Sequence, residues 1–173
     1  MLERDVRGAR ASEAAGPITL VGLEAMLDNV RSALNVGSIF RSAEGLGLQR
    51  LYLAGITPTP ADAKVRKAAL GAETSIQWSQ HNNGLDLARL LKKRGRAIWA
   101  LESTGGAVPV QYGAALLNDA NQPVLVVGNE VVGLDPGILE IADRVLCLPM
   151  LRQKTSFNAA VAFALAAYVL TRP

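Results

Sequence analysis

Three polar segments, each set against apolar sequence, hold the residues whose types and spacing could do chemistry. The first, Asn35-Val36-Gly37-Ser38-Ile39-Phe40-Arg41, places an amide and a guanidinium six residues apart. In a helix the two need not share a face, so Asn35 can sit at or before the first turn while Arg41 projects from the body. A guanidinium beside Ile39 and Phe40 reads as half-buried, which demands a phosphate or carboxylate partner or an internal salt bridge. The second segment, Gly128-Asn129-Glu130-Val131-Val132-Gly133, follows the apolar run Val124 to Val127. Its glycines let a backbone approach a bound group, and Glu130 can accept hydrogen bonds from hydroxyls or an amine; an ordinary strand-to-helix turn accounts for the same residues. The third, Pro149 to Asn158, ends in Thr155-Ser156-Phe157-Asn158 ahead of a strongly apolar run. A Ser or Thr hydroxyl there would cap a helix, adding about 1 kcal/mol. The alternative is a hydroxyl and an amide holding a polar ligand where free N–H groups and the helix dipole converge.

The elements that must position these groups alternate along the chain. Ile18 to Leu23, Leu51 to Ala54, Ile76 to Trp78, Ala97 to Leu101, Val124 to Val127 and Val145 to Leu148 read as strands. Helices are expected near Asn35 to Glu44, Ala61 to Leu70, Leu85 to Arg94, Pro136 to Ala142 and Ser156 to Leu170, with Gly45 and Gly47 ending the first and Pro136 opening the fourth. Such alternation argues for an α/β fold, a parallel sheet covered by helices on both faces. In that architecture ligands sit just past the carboxyl ends of the strands, where the second and third polar segments fall.

Composition narrows the possibilities. At 173 residues, half of them apolar, the chain is one ordinary domain able to bury roughly 70% of its unfolded surface. Residues 17–173 are expected to form that domain, behind a loose cytosolic tail at residues 1–16 that lacks the apolar core of a signal peptide. The single cysteine, Cys147, reads as a small core residue, and with one histidine, His81, a transition-metal site is not expected. The longest apolar run, Ala159 to Leu170, is 12 residues, shorter than the roughly 18 a membrane span needs, and reads as a buried helix. Neither the dinucleotide fingerprint nor a phosphate loop ending in Gly-Lys-Ser/Thr occurs. Residues 1–100 carry 14 Lys+Arg against 9 Asp+Glu, residues 101–173 carry 4 against 6. The basic half, with clusters at Lys64, Arg66, Lys67 and at Lys92, Lys93, Arg94, Arg96, is either a phosphate-facing surface or a set of solvated helix faces.

Taken together, the three segments resemble the three motifs of the SpoU (TrmH) family of RNA ribose methyltransferases, in the SPOUT superfamily. Asn29 to Ala43 resembles the first motif, Val127 to Leu134 the second, and Leu148-Pro149-Met150 through Ser156 to Ala162 the third. The order and spacing match over about residues 18–172. The resemblance implies a sheet whose C-terminal segment threads into a deep trefoil knot, S-adenosylmethionine (SAM) as cofactor, tRNA or rRNA as substrate, and a homodimer with active sites near the subunit interface. It puts Asn35, Arg41, Glu130, Ser156 and Asn158 on the family's catalytic positions. Leu101, Glu102, Gly128, Leu148, Met150, Ser156, Phe157 and Asn158 fall on cofactor-binding ones, held largely through backbone. Lys64, Arg66 and Lys67 would join Arg41 on RNA. The departure is Arg152, where the family has glycine, at a position whose conformation would cost roughly 1 kcal/mol or more if φ is positive.

The implied reaction moves a methyl group to a ribose 2′-hydroxyl. Because guanidinium stays protonated, Arg41 suits stabilising the developing alkoxide and gripping phosphate better than acting as a base. Two rivals share the fold: a non-catalytic module that binds RNA or a partner subunit, which Arg152 favours, and a methyltransferase acting on a base nitrogen, which the arginine of the first motif disfavours.

Overall fold

The computed structural model of the protein describes residues 22–113, 122–151 and 156–171. The expected tail and Arg152 lie outside these residues. Seven strands form one sheet: β1 Glu24–Asp28, β2 Arg50–Ala54, β3 Gln77–His81, β4 Ile98–Leu101, β5 Val108–Pro109, β6 Val124–Val127 and β7 Arg144–Cys147. Their order is β3-β2-β1-β6-β4-β7-β5, with every neighbouring pair parallel. The helices are α1 Ala33–Gly45, α2 Ala63–Ala69, α3 Ala72–Ser75, α4 Gly84–Lys93, α5 Val110–Gly113, α6 Pro136–Ile141 and α7 Ala159–Thr171.

Central β6, Val-Leu-Val-Val, is buried throughout, as a parallel strand covered on both faces must be. Its alternating side chains feed two cores. Leu125 and Val127 join Leu27, Ile39, Phe40, Trp99 and Phe163 beneath α1 and α7, while Val124 and Val126 join Met26, Leu87, Leu91, Ile98 and Ile138 beneath α4 and α6. Burial of each such large side chain stabilises the fold by about 1.5–3 kcal/mol. α1 presses close to α2 because Gly37 carries no side chain: a Cβ there would stand 2.5 Å from Ala68 Cβ and 2.5 Å from the Val65 carbonyl oxygen.

Register decides where the site lies. Leu27 of β1 and Leu101 of β4 both pair with Val127 of β6, and Leu101 also pairs with Leu146 of β7. The loops that follow these four strands therefore leave the sheet at one edge. The chain runs outward from β1 to β3, then returns to build β4, β7 and β5 on the far side of β6, so this edge lies at the reversal of strand order where ligands gather.

Two expectations from sequence need correction. The first strand is Glu24–Asp28; Gly22 and Leu23 precede it, and residues 18–21 lie outside the described residues. The apolar run Ile18 to Leu23 drew the assignment away from a strand that starts and ends on buried carboxylates. Glu24 is accommodated by hydrogen bonds from Tyr52 Oη (2.8 Å) and Arg96 Nη2 (2.9 Å), so its charge is paired rather than exposed. Secondly, α7 is not buried all round. Ala160, Phe163, Ala166, Ala167 and Leu170 face the core, but Val161 and Leu165 on the opposite side are 47% and 43% exposed.

Candidate active site

At the edge where β1, β4, β6 and β7 end, three polar loops are tied together by a chain of side chains that starts at one carboxylate. Glu130, in the turn after β6, accepts hydrogen bonds from the Arg31 amide at 2.9 Å, the Ser32 amide at 3.1 Å and Asn35 Nδ2 at 2.9 Å. Ser32 in turn caps α1, its hydroxyl accepting from the Asn35 amide at 3.2 Å. Asn35 is thereby held in the first turn with its amide facing Glu130, and its Oδ1 accepts from Asn158 Nδ2 at 3.0 Å. Asn158 closes the chain of contacts by accepting from the Ala160 and Val161 amides at 3.0 and 3.3 Å, which makes it the cap of α7. The expected hydroxyl cap is corrected: the amide of Asn158 does that work, and it bonds a partner from another loop as well. One capping side chain can do both because carbonyl oxygen and amide nitrogen point opposite ways.

The turn between Gly128 and Gly133 is shaped for close approach. Asn129 and Gly133 exchange backbone hydrogen bonds of 3.1 and 3.0 Å, and Asn129 Oδ1 accepts from the Val131 and Val132 amides at 2.8 and 3.1 Å. Asn129 Nδ2 donates to the Asn29 carbonyl at 2.8 Å, a second tie between the β1 and β6 loops. A Cβ on Gly128 would stand 2.6 Å from Gly133 backbone. Gly133 has φ +75°, and a Cβ there would meet Glu102 Oε2 at 2.5 Å. Glu102 Oε2 accepts from the Leu134 amide at 3.0 Å, so the loop after β4 braces this turn.

These loops enclose a pocket. Leu101, Glu102, Gly128, Leu148, Met150, Ser156 and Phe157 line it, together with Asn129, Glu130, Cys147, Ala159 and Ala162. Seven of the eight positions that the resemblance marks for cofactor are thus brought to one cavity. The eighth, Asn158, lies with Asn35 in an adjoining groove between α1 and α7, beside Leu34, Ser38, Ser42, Val161 and Leu165. Cys147, read from sequence as a core residue, is only half-buried and faces the pocket. The structural importance of Asn129 was also missed: no periodicity marks a turn-forming amide that bridges two loops.

Electrostatics agree with this wiring. Partial burial pushes the Glu130 carboxyl up, but the amides of Arg31 and Ser32 and the Asn35 side chain outweigh it, leaving the carboxyl below its ordinary range. Asp28, at the end of β1, moves the other way. Burial dominates and raises it, with the nearby Asp135 charge adding to the rise against an opposing backbone hydrogen bond from that residue.

Arg41 is placed differently from expectation. It is exposed, with no hydrogen bond or ion pair among the described residues, and lines a groove with Glu44, Leu70, Gly71 and Ser75. Val36, Ile39, Phe40 and Ala43 take the inward face of α1, and Arg41, next to Phe40 in sequence, points outward by the helical step of about 100°. Within one chain it does not join the Glu130 cluster. Lys64 and Lys67 are exposed on α2, whereas the Arg66 guanidinium donates to the Pro60 and Ala61 carbonyls, the latter at 2.9 Å.

The sequence model of the SpoU rRNA Methylase family matches residues 22–168. Among curated proteins, the chain is 30% identical over 145 residues to the 23S rRNA (guanosine(2553)-2'-O)-methyltransferase RlmP of Bacillus subtilis, covering 84% of this chain and 56% of that protein. It is 25% identical to the tRNA (guanosine(18)-2'-O)-methyltransferase of Escherichia coli K12, over 87% of this chain and 63% of that one. The chain spans about half the length of the curated relatives it matches. Among solved structures, an AdoMet-bound rRNA methyltransferase from Sinorhizobium meliloti superposes with a TM-score of 0.79 at 25% identity, covering 87% of this chain and 56% of that one. A TrmH/SpoU tRNA modifying enzyme from A. aeolicus gives 0.75 at 27%, covering 87% and 74%. The seven-strand parallel sheet, the three loops joined through Glu130, Asn35 and Asn158, and a family match across residues 22–168 agree: the chain belongs to the SpoU rRNA methylase family.

Proposed function

We propose that the protein transfers the methyl group of SAM to a ribose 2′-hydroxyl of tRNA or rRNA. The observation that carries this reading is the chain Glu130–Asn35–Asn158, which joins all three motif loops around a pocket at the carboxyl edge of the sheet. The pocket suits the cofactor. Leu101, Leu148 and Met150 offer apolar walls for an adenine ring, and Gly128, whose missing side chain makes room for the Gly133 backbone, brings main chain to the pocket wall. Leu101, Glu102, Gly128, Leu148, Met150, Ser156 and Phe157 would hold it, with Asn158 fixing the start of α7. When bound, the cofactor supplies an electrophilic methyl group.

The rest falls to the chain's own residues. Glu130 and Asn35 hold the loops rigid, which positions a nucleophile that is weak as a neutral hydroxyl. Ser156, exposed at the pocket wall, and Asn158 orient the ribose. Arg41 stabilises the negative charge that develops on the ribose oxygen as the hydroxyl proton passes to solvent, and grips a phosphate. Since Arg41 faces away from its own pocket, we take it to serve the pocket of a second copy. The exposed apolar residues Leu34, Val161 and Leu165 flank the Asn35–Asn158 groove and support a homodimer that meets along α1 and α7. A threaded, knotted C-terminal segment, with α7 packed against α1 and α5, is part of the same reading. Lys64 and Lys67, with Arg66 bracing their helix, extend the RNA surface. The setting is cytoplasmic. No helix among the described residues is long and apolar enough to cross a membrane, and those residues contain no group of three metal-ligating side chains.

Arg41→Ala is the test. It is expected to remove methyl transfer while calorimetry finds SAM affinity within about twofold of wild type, the scatter of an exposed-site change. Transfer at the wild-type rate would overturn the role given to Arg41.

A further inference from the structure

A second cleft, of about 520 Å³, lies at the opposite edge of the sheet, built where strands begin. Glu24 opens β1, Arg50 opens β2, Gln77 opens β3 and Arg96 precedes β4; Arg94, just past α4, closes it. A five-residue strand such as β1 separates this edge from the carboxyl edge by roughly 13 Å, so the cleft is not part of the candidate active site.

Its charge is unbalanced. Three guanidinium groups against one carboxylate leave a formal +2, and that carboxylate is already committed. Glu24 Oε1 accepts from Arg96 Nη2 at 2.9 Å, and Oε2 accepts from Tyr52 Oη at 2.8 Å. Arg50 has only a neutral acceptor, Gln77 Oε1 at 2.9 Å, and lies over the Tyr52 ring at 5.8 Å. The Arg94 side chain has no hydrogen bond or ion pair among the described residues, and Arg96 Nη1 is buried without an acceptor. By contrast, two cations of α4 are matched: Lys92 pairs with Asp143 at 2.6 Å and Arg89 with Asp86 at 3.8 Å. A polar, open cleft lined by guanidinium forks and amides is suited to an anion with several acceptor oxygens.

We infer that this cleft binds phosphodiester groups of the RNA substrate, holding the strand several nucleotides from the ribose that is methylated. The inference rests on the RNA-methylating reading above. At about 3.4 Å per nucleotide along a stacked strand, the strand length alone sets a minimum of roughly four nucleotide steps between the two edges, and a path around the helices that cover the sheet is longer. Arg50 and Arg94 supply the grip, while Arg96, anchored by Glu24, holds its charge behind them.

The test measures binding of a labelled 40-nucleotide single-stranded RNA across a salt series, for the full chain, Arg50→Gln/Arg94→Gln and the control Arg89→Gln. Each phosphate contact contributes about 0.7 to the slope of log affinity against log salt for a single strand. The double variant is expected to lose about 1.4 from that slope and about tenfold in low-salt affinity, while Arg89→Gln changes the slope by less than about 0.3. SAM binding by calorimetry, read on the same samples, should be equal in all three. That equality shows the variants folded, and failure of wild type to bind SAM would sink the methyltransferase reading separately. An unchanged slope in the double variant overturns the inference. If in that case inorganic phosphate raises the melting temperature of wild type but not of the double variant, the cleft takes a small phosphate; if phosphate acts on neither, the arginines serve the fold alone.

Discussion

Glu130→Gln changes one oxygen for nitrogen where the turn after β6 meets the segment after β1, and its effect can be worked from the contacts. The carboxylate accepts three hydrogen bonds, from the Arg31 amide, the Ser32 amide and Asn35 Nδ2. Glutamine keeps one acceptor oxygen. If that oxygen stays on Ser32 and Asn35, the new amide nitrogen faces the Arg31 N–H, donor against donor; the flipped rotamer loses two contacts instead of one. The remaining bonds also drop from charge-assisted to neutral strength, from about 1.5–3 to about 0.5–1.5 kcal/mol each. At the lower end of both ranges the three contacts lose about 3.5 kcal/mol, and because Glu130 is exposed and water can satisfy the orphaned donors, solvent screening reduces this to about 2 kcal/mol in loop ordering. That corresponds to roughly 30-fold, at 1.4 kcal/mol per tenfold. SAM affinity by calorimetry should fall by about that factor, with global melting temperature changed by less than about 3 °C because the core is untouched. The pH dependence should follow. The folded carboxyl titrates below its ordinary value of 4.5, so its contribution is complete above that value and is lost as pH falls through the lower folded value. Glu130→Gln should remove this acid limb. Unchanged cofactor affinity, or an acid limb that persists, would refute the claim that Glu130 orders the pocket.

Two further outcomes rest on other parts of the molecule. Asp28 is raised by burial above its ordinary 3.8, so the stability of the ionised fold decreases as pH rises from that value through the folded one; Asp28→Asn should raise the denaturant midpoint at pH 7 and flatten that dependence, and a lower midpoint at pH 7 would contradict it. Leu165→Glu places a charge on the apolar face of α7 beside the Asn35–Asn158 groove, and sedimentation should show a shift from dimer to monomer at micromolar concentration, whereas a wild-type monomer would remove the homodimer from the account.

The sheet was legible because Val124 to Val127 and its neighbour Ile98 to Leu101 are continuous apolar runs, a pattern that burial on both faces enforces. Its first strand was not. Glu24 and Asp28 break the apolar pattern, and only the paired Tyr52 and Arg96, 28 and 72 residues away, make a buried glutamate tolerable. The same limit governed the site. Motif resemblance marked Asn35, Glu130 and Asn158, but that they bond in series across separations of 95 and 123 residues is a property of the folded sheet edge. Sequence neighbours misled for Arg41, whose adjacency to Phe40 suggested burial although a helix turns consecutive side chains apart. The short β5 and the one-turn α3 and α5 carry too few residues for any period to show.

The central claim, transfer of a methyl group from SAM to a ribose oxygen, is tested most directly by incubating the protein with methyl-labelled SAM and separated tRNA and rRNA, then digesting the product to nucleosides. The account predicts label in a 2′-O-methylated nucleoside, within an alkali-resistant dinucleotide. Label on a base nitrogen, or none in either RNA from a protein that binds SAM, would contradict it.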